Sequence, residues 1–192
     1  MASSAFDLTA LTLSNPVAGA KGAKTATLSY QNKPIIWQPD AQTVAFEPTA
    51  YQNEVNATRV NLVMRASLQT VETLTELDEH MINICTLNSE NLFGRSLSSE
   101  DVKLRYSPCL KKSDKYDSTF KAKINLNGKG QLKCWDGERK PRDAPATWIG
   151  SSVQPRIALR CIWIMPKEFG CLFECSDVLI GEATPENVVC PF

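Results

Sequence analysis

The hydrophobic period of this chain changes twice, and that limits the folds open to it more than any single residue does. From Arg59 to Ser67 the residues alternate, with Val60, Leu62, Met64 and Ala66 on one side and Arg59, Asn61 and Arg65 on the other. Strict alternation marks a strand with one face in a core and one in water. From Val71 the period lengthens: Leu74, Leu77, Met81 and Ile84 recur at steps of three and four, which places them on one face of a helix. The spacing predicts a helix over about residues 70–87, with Thr73-Leu74-Thr75-Glu76 as a capping box near its start. At Phe120 the period returns to two. Phe120, Ala122, Ile124 and Leu126 share one face, and Lys121, Lys123 and Asn125 the other.

Turn residues divide the rest into short strands. Thr25–Tyr30 and Ile35–Trp37 flank Gln31-Asn32-Lys33-Pro34, and Thr43–Phe46 follows Pro39-Asp40, as in a small antiparallel meander. After Ser98, the residues Ser99, Glu100 and Asp101 put acceptors and negative charge where a short helix would start. Asn127-Gly128-Lys129-Gly130 is a hairpin signal, with Gln131–Trp135 as the returning strand. Asp136-Gly137 opens a polar loop to about Thr147, and Val153–Met165 with Cys171–Ile180 form a long terminal hairpin around Pro166–Gly170. Strands, one inserted helix and a closing hairpin describe a mainly β protein, a small OB-fold-like barrel. A chain of 192 residues suits one such domain over 1–192, with flexible ends at about 1–10 and 182–192.

Composition narrows the functional classes. Lysine plus arginine equals aspartate plus glutamate, 21 each, so net charge names no partner. No apolar run approaches the ~20 residues of a membrane-spanning helix, and Met1–Ser14 lacks the basic start and apolar core of a secretory leader. An odd number of scattered cysteines, seven, reads as reduced thiols inside a cell. If the protein is viral, that compartment is the host nucleus or a cytoplasmic replication site.

Catalysis finds little support. The single histidine, His80, falls among Glu76, Asp78 and Glu79 on the expected helix, where a surface role explains it better than a general base does. Cys171 and Cys175 are four apart with no second close pair of Cys or His. Two core thiols on one strand face account for them without zinc. No phosphate-cradling glycine motif is present. The chain reads as a binding protein without cofactor or metal.

What it binds is suggested by where the charge falls. Between Lys103 and Arg142 twelve basic residues face four acidic ones, while Glu72–Asp101 holds seven acids against Arg95. The molecule should be electrically two-sided. If Phe120, Ala122, Ile124, Leu132 and Cys134 point inward on a hairpin, then Lys121, Lys123, Lys133 and Trp135 share its outer face. Ammonium groups beside an indole suit single-stranded nucleic acid, with cations on phosphates and flat rings on unpaired bases. Lys111, Lys112 and Lys115 precede this hairpin, Arg139, Lys140 and Arg142 follow it, and Tyr116 and Tyr106 offer further rings.

Several segments carry a resemblance. Tyr116-x-x-x-Phe120-Lys-Ala-Lys123, Trp148-Ile-Gly-Ser-Ser-Val153, Ile162-Trp163-Ile164 and Phe169-Gly170-Cys-Leu-Phe-Glu-Cys-Ser-Asp-Val178 stand in the order found in the OB-fold single-stranded DNA-binding proteins of T7-like phages. Together with Asn88-Ser-Glu-Asn-Leu-Phe-Gly94, they also resemble a related family in large eukaryotic DNA viruses. The resemblance implies a protein that coats single-stranded DNA with little sequence preference during replication, recombination or repair, in a virus. RNA is a second candidate strand, and another copy of the chain and replication proteins are candidate protein partners. The family's acidic tail is not matched, because Thr184–Phe192 carries only Glu186. Two other classes compete: a viral structural or scaffold protein that binds proteins, and a nuclease built on carboxylates.

Overall fold

The computed structural model describes residues 10–19, 22–50 and 56–181. Its elements are β1 (Leu11–Leu13), β2 (Val17–Ala18), β3 (Lys24–Tyr30), β4 (Ile35–Trp37), β5 (Gln42–Val44) and β6 (Arg59–Arg65), then α1 (Leu68–Leu87), α2 (Ser89–Phe93) and α3 (Ser99–Arg105). After these come β7 (Tyr106–Ser107), β8 (Thr119–Asn125), β9 (Lys133–Trp135), β10 (Pro141–Arg142), β11 (Ser152–Ile164) and β12 (Phe169–Ile180). The ends expected to be flexible fall almost wholly outside the described residues.

Five strands close into a ring. β5 pairs with β6, β6 with β8, β8 with β12, β12 with β11, and β11 with β5 again. Within the ring only β8–β12 is parallel. This is the mainly β, OB-type barrel that the alternation predicts, with α1 inserted between β6 and β8. The inward residues are those the period selects: Val60, Leu62 and Met64 on β6, and Phe120, Ala122 and Ile124 on β8, all buried in one cluster with Ile157, Leu159, Phe173 and Val178. Leu126 departs from the expected pattern. β8 ends at Asn125, and Leu126 lies beyond it, 46% exposed.

The long hairpin closes the ring because it bends. Along β11–β12 the register slips twice, between Arg156 and Ile157 and between Leu159 and Cys161. The first slip leaves Ser176 as the extra residue on β12, and the second leaves Arg160 as the extra residue on β11. A bulge adds twist and curvature to a strand, which a small barrel requires.

The helix is longer than its period suggests, and its cap lies upstream of the expected box. Ser67 is the N-cap, its hydroxyl accepting from the Thr70 amide at 3.2 Å. Thr73 and Glu76 lie inside the helix instead. Ser67 is the residue that can cap because β5 holds it: its own amide donates to Gln42 Oε1 at 2.9 Å, and its hydroxyl donates to Asp40 Oδ1 at 2.7 Å. Gln42, 2% exposed, in turn donates to the Asp40 carboxylate. α1 then buries Leu74, Leu77, Met81 and Cys85. α3 starts from the Ser98 cap. α2, which periodicity does not reveal, stops at Gly94, whose φ of 73° is left-handed.

The six described cysteines are free thiols. Cys175 is buried and Cys171 half-buried on the same, inward side of β12. Burial pushes the thiols of Cys85 and Cys175 up to about 12.

Two outcomes follow for stability and reactivity. Ser67→Ala should cost about 1 kcal/mol, a fall in melting temperature of roughly 2–4 °C for a chain of this size, while Thr73→Ala should stay within about 0.5 kcal/mol; equal losses would place the cap at the box instead. Because their raised values keep them protonated, Cys85 and Cys175 should resist alkylation at pH 8 in the folded protein and react once it is unfolded, which mass spectrometry of the labelled peptides would read.

Candidate nucleic-acid interface

The expected hairpin between Phe120 and Trp135 does not form, and this rearranges the site. Both hydrogen-bonding edges of β8 are taken, by β6 on one side and β12 on the other. The chain does turn after β8, with Gly128 and Gly130 at φ of 73° and 93° and the Leu132 amide donating to the Asn125 carbonyl. It then runs on beside β12 and adds β9, in parallel, to the same edge of β12 that β8 meets at Glu174, with Lys133 opposite Asp177 and Trp135 opposite Leu179, since β11 fills the other edge. Lys121 and Lys123 therefore share no ladder with Lys133 and Trp135: the two pairs stand at successive positions along one edge of β12. The inward–outward phase is as expected, since Cys134 is buried, Lys133 exposed and Trp135 half-buried.

What faces Lys121 and Lys123 is β6. Arg59 pairs with Asn125, Asn61 with Lys123, Val63 with Lys121, and Arg65 with Thr119. One outer surface thus gathers Arg59, Arg65, Lys121 and Lys123, with Asn61 and Val63 between them. The Lys123 ammonium is held below its ordinary pKa by burial first and then by Arg59 and Lys121. An anion placed beside it would offset the part of that shift that comes from the two cations.

At the Arg65 end this surface runs into a cleft of about 460 Å³ lined by Phe46, Arg65, Lys111, Lys115 and Tyr116. Two rings stand in water there, Tyr116 at 79% and Phe46 at 59% exposure. Backbone bonds fix both sides. Lys111 and Thr119 exchange amide–carbonyl bonds at 2.7 and 3.0 Å, pinning the segment that carries Lys115 and Tyr116 to the start of β8. On the other side Ala45 donates to the Val63 carbonyl, and the Glu47 carboxylate accepts from the Trp148 and Ile149 amides at 2.8 and 2.9 Å. Phe46 is held between those two anchors.

Farther along β12, between β9 and β11, lies a second cleft of about 620 Å³, formed by Trp135, Arg139, Gln154, Arg156 and Leu179. The Trp135 indole N–H donates to Asp177 Oδ1 at 3.1 Å, which fixes the ring's plane. Arg139 reaches this cleft from a turn that the sequence reading took for open loop. Asp136 and Lys140 close it, the Asp136 amide donating to the Lys140 carbonyl at 3.0 Å, so that β9 and β10 form a hairpin with Arg142 opposite Cys134.

The remaining predicted residues scatter. Lys112 lines a different groove, with Asp78 and Glu79 of α1. Lys140 is paired to Glu138 at 2.6 Å, and the Arg142 Nε donates to the Asp143 carbonyl at 3.4 Å. Tyr106 is no stacking surface: it is buried against Phe169, and its hydroxyl donates to Asp78 Oδ1 at 2.7 Å. Sequence reasoning missed Phe46, Arg59 and Arg65 as members of the face. The alternation already placed Arg59, Asn61 and Arg65 outward, but the strand beside them could not be read. Among the described residues no three of His, Cys, Asp and Glu stand where they could share a metal ion, and no helix is long and apolar enough to cross a membrane.

No protein-family model matches the chain, and no curated protein matches it either. Solved structures do. The single-stranded DNA-binding protein gp2.5 of bacteriophage T7 superposes with a TM-score of 0.52 at 14% identity, over 77% of this chain and 92% of that one. The single-stranded DNA-binding protein of bacteriophage Enc34, solved in complex with single-stranded DNA, gives 0.49 at 13% identity over 88% of this chain and 94% of that one. At such identity the likeness to gp2.5 is one of backbone, and it agrees with the OB-type barrel traced above.

Proposed function

We propose that this chain binds single-stranded DNA on the outer face of β6 and β8, with little sequence preference, and keeps it unpaired during replication, recombination or repair of a viral genome. One observation carries the reading: four cations on paired strands lead into a cleft whose two rings, Phe46 and Tyr116, are solvent-exposed although large aromatic side chains are normally covered. Cations that follow a backbone and rings that stack on bases are the two parts of sequence-tolerant strand binding, and on OB barrels the second and third strands form the usual binding face. The barrel of gp2.5, a single-stranded DNA-binding protein, supports the same assignment.

Lys111, Lys115, Tyr116, Lys121 and Lys123 belong to the first part of the path. Lys133, Trp135 and Arg139 extend it along β12, and Lys112, Lys140 and Arg142 add to the surrounding positive field. The protein acts by occupancy and transforms no substrate. Single-stranded RNA, which presents the same phosphates and bases, is the natural competitor in any assay.

If about four to six phosphates are contacted, log affinity should fall with log salt at a slope near −3 to −4, at roughly 0.7 per phosphate; a flat dependence with self-association would favour the scaffold reading. Phe46→Ala and Tyr116→Ala should each weaken binding by about 1–3 kcal/mol, roughly five- to 150-fold, with the slope unchanged. Lys121→Ala with Lys123→Ala should instead flatten the slope by about 1.4.

Trp135 is proposed as the third stacking ring. Since Trp37 and Trp148 are buried and Trp163 lies beside Thr25 on the β3 side, quenching of tryptophan emission by bound DNA should come mainly from Trp135 and vanish in Trp135→Phe. Full quenching in that variant would remove the second cleft from the path.

A further inference from the structure

Building on the proposed binding face, we infer that Arg59 and Arg160 form a phosphate site that the Glu174 carboxylate occupies while no DNA is bound. The three residues come from three strands of the barrel's outside. Arg59 on β6 reaches over β8 to pair with Glu174 Oε1, and Arg160 on β11 donates its Nε to Glu174 Oε2 at 2.6 Å. One carboxylate thus receives a guanidinium on each oxygen, with Lys123 on β8 directly opposite Glu174 in the parallel ladder.

Two features separate this arrangement from an incidental surface pair. Arg160 is the extra residue of a β-bulge, and bulges re-aim side chains at functional positions. The triad also lies in line with Lys121 and Lys123 on the face where cations already outnumber anions. Glu174 is its least exposed member, at 25%, against 40% for Arg59 and 55% for Arg160. The guanidinium groups are therefore the parts a strand arriving from solvent would meet. Two guanidinium groups around one two-oxygen anion is the geometry that binds a phosphodiester as readily as a carboxylate.

Occupancy by Glu174 has a definite consequence. It neutralises one of the two arginine charges, keeps both guanidinium groups ordered, and makes an arriving phosphate compete with an internal anion. Affinity is lowered, and weak or short contacts are rejected.

The test is a salt titration of single-stranded DNA binding by the full chain and by Glu174→Gln, with Glu174→Ala as a second variant and melting temperature as the check on folding. Removing one negative charge from the track should steepen the slope by about 0.7 and tighten binding about fivefold at 0.1 M salt. In the background Arg59→Ala with Arg160→Ala, the same substitution should gain nothing. Binding by Glu174→Gln equal to or weaker than wild type, with both variants folded, would overturn the inference: Glu174 would then position the arginines and not mask them. A wild-type protein that binds no single strand at all would end both this inference and the proposed function, whereas normal wild-type binding without the gain ends this inference alone.

Discussion

β8 is hydrogen-bonded on both edges, and most of the molecule depends on that. Its antiparallel ladder with β6 runs over seven residue pairs, from Arg59 and Asn125 to Arg65 and Thr119, and its parallel contact with β12 joins the front of the barrel to the long hairpin. With those edges filled, inward residues of all three strands meet in one core and the outward residues have nowhere to go but solvent. The same pairing redirects β9. A strand that leaves β8 through a tight glycine turn would ordinarily return along it, but here it continues along the edge of β12 that β8 already meets. The two basic groups of the sequence consequently end up one after the other along β12, the strand that bears Glu174 and Asp177.

Those carboxylates decide how a neutral chain can present itself to a polyanion. Glu174 is shared by Arg59 and Arg160, and Asp177 takes the Trp135 indole N–H and lies 3.8 Å from Arg156. Each acid on the track is bracketed by donors, so the surface potential between them is set by the lysines of β8, which lack such partners among the described salt bridges. The acids of α1 are spent elsewhere. Asp78 accepts from the Tyr106 hydroxyl and from the Cys109 amide at 3.1 Å, tying α1 to the segment that leads toward Lys111. The acidic and basic stretches of the sequence meet in space at one groove, which Asp78 and Glu79 of α1 line together with Lys103 and Lys112.

The local elements were legible where one physical signal acted alone. Alternation in 59–65 and 120–124 fixed which side chains point inward, the three-and-four spacing located α1, and the Pro166–Gly170 turn identified the closing hairpin. Signals failed where a distant partner outweighed them. Thr73-x-x-Glu76 has the composition of a capping box, but Gln42 and Asp40, 25 or more residues upstream of Ser67, hold that serine where it can cap. Asn127–Gly130 has the composition of a hairpin turn, but the edge it needed was occupied. Tyr106 sits in a basic stretch, but a carboxylate 28 residues away draws its hydroxyl into the core.

By itself, then, the sequence determined the class of fold, the inward and outward phase of each main strand, and the concentration of positive charge between Lys103 and Arg142. These are local properties, carried by periods of two and 3.6 and by residue type. Only the tertiary structure decided which strands lie side by side, and with that the composition of the interface: β6 brought Arg59 and Arg65 to Lys121 and Lys123, the segment after β5 brought Phe46 to Tyr116, and a bulge aimed Arg160 at Glu174. Strand pairing is a contest among all available edges, and its outcome depends on hydrogen-bond saturation and core closure across the whole chain, which no window of sequence contains.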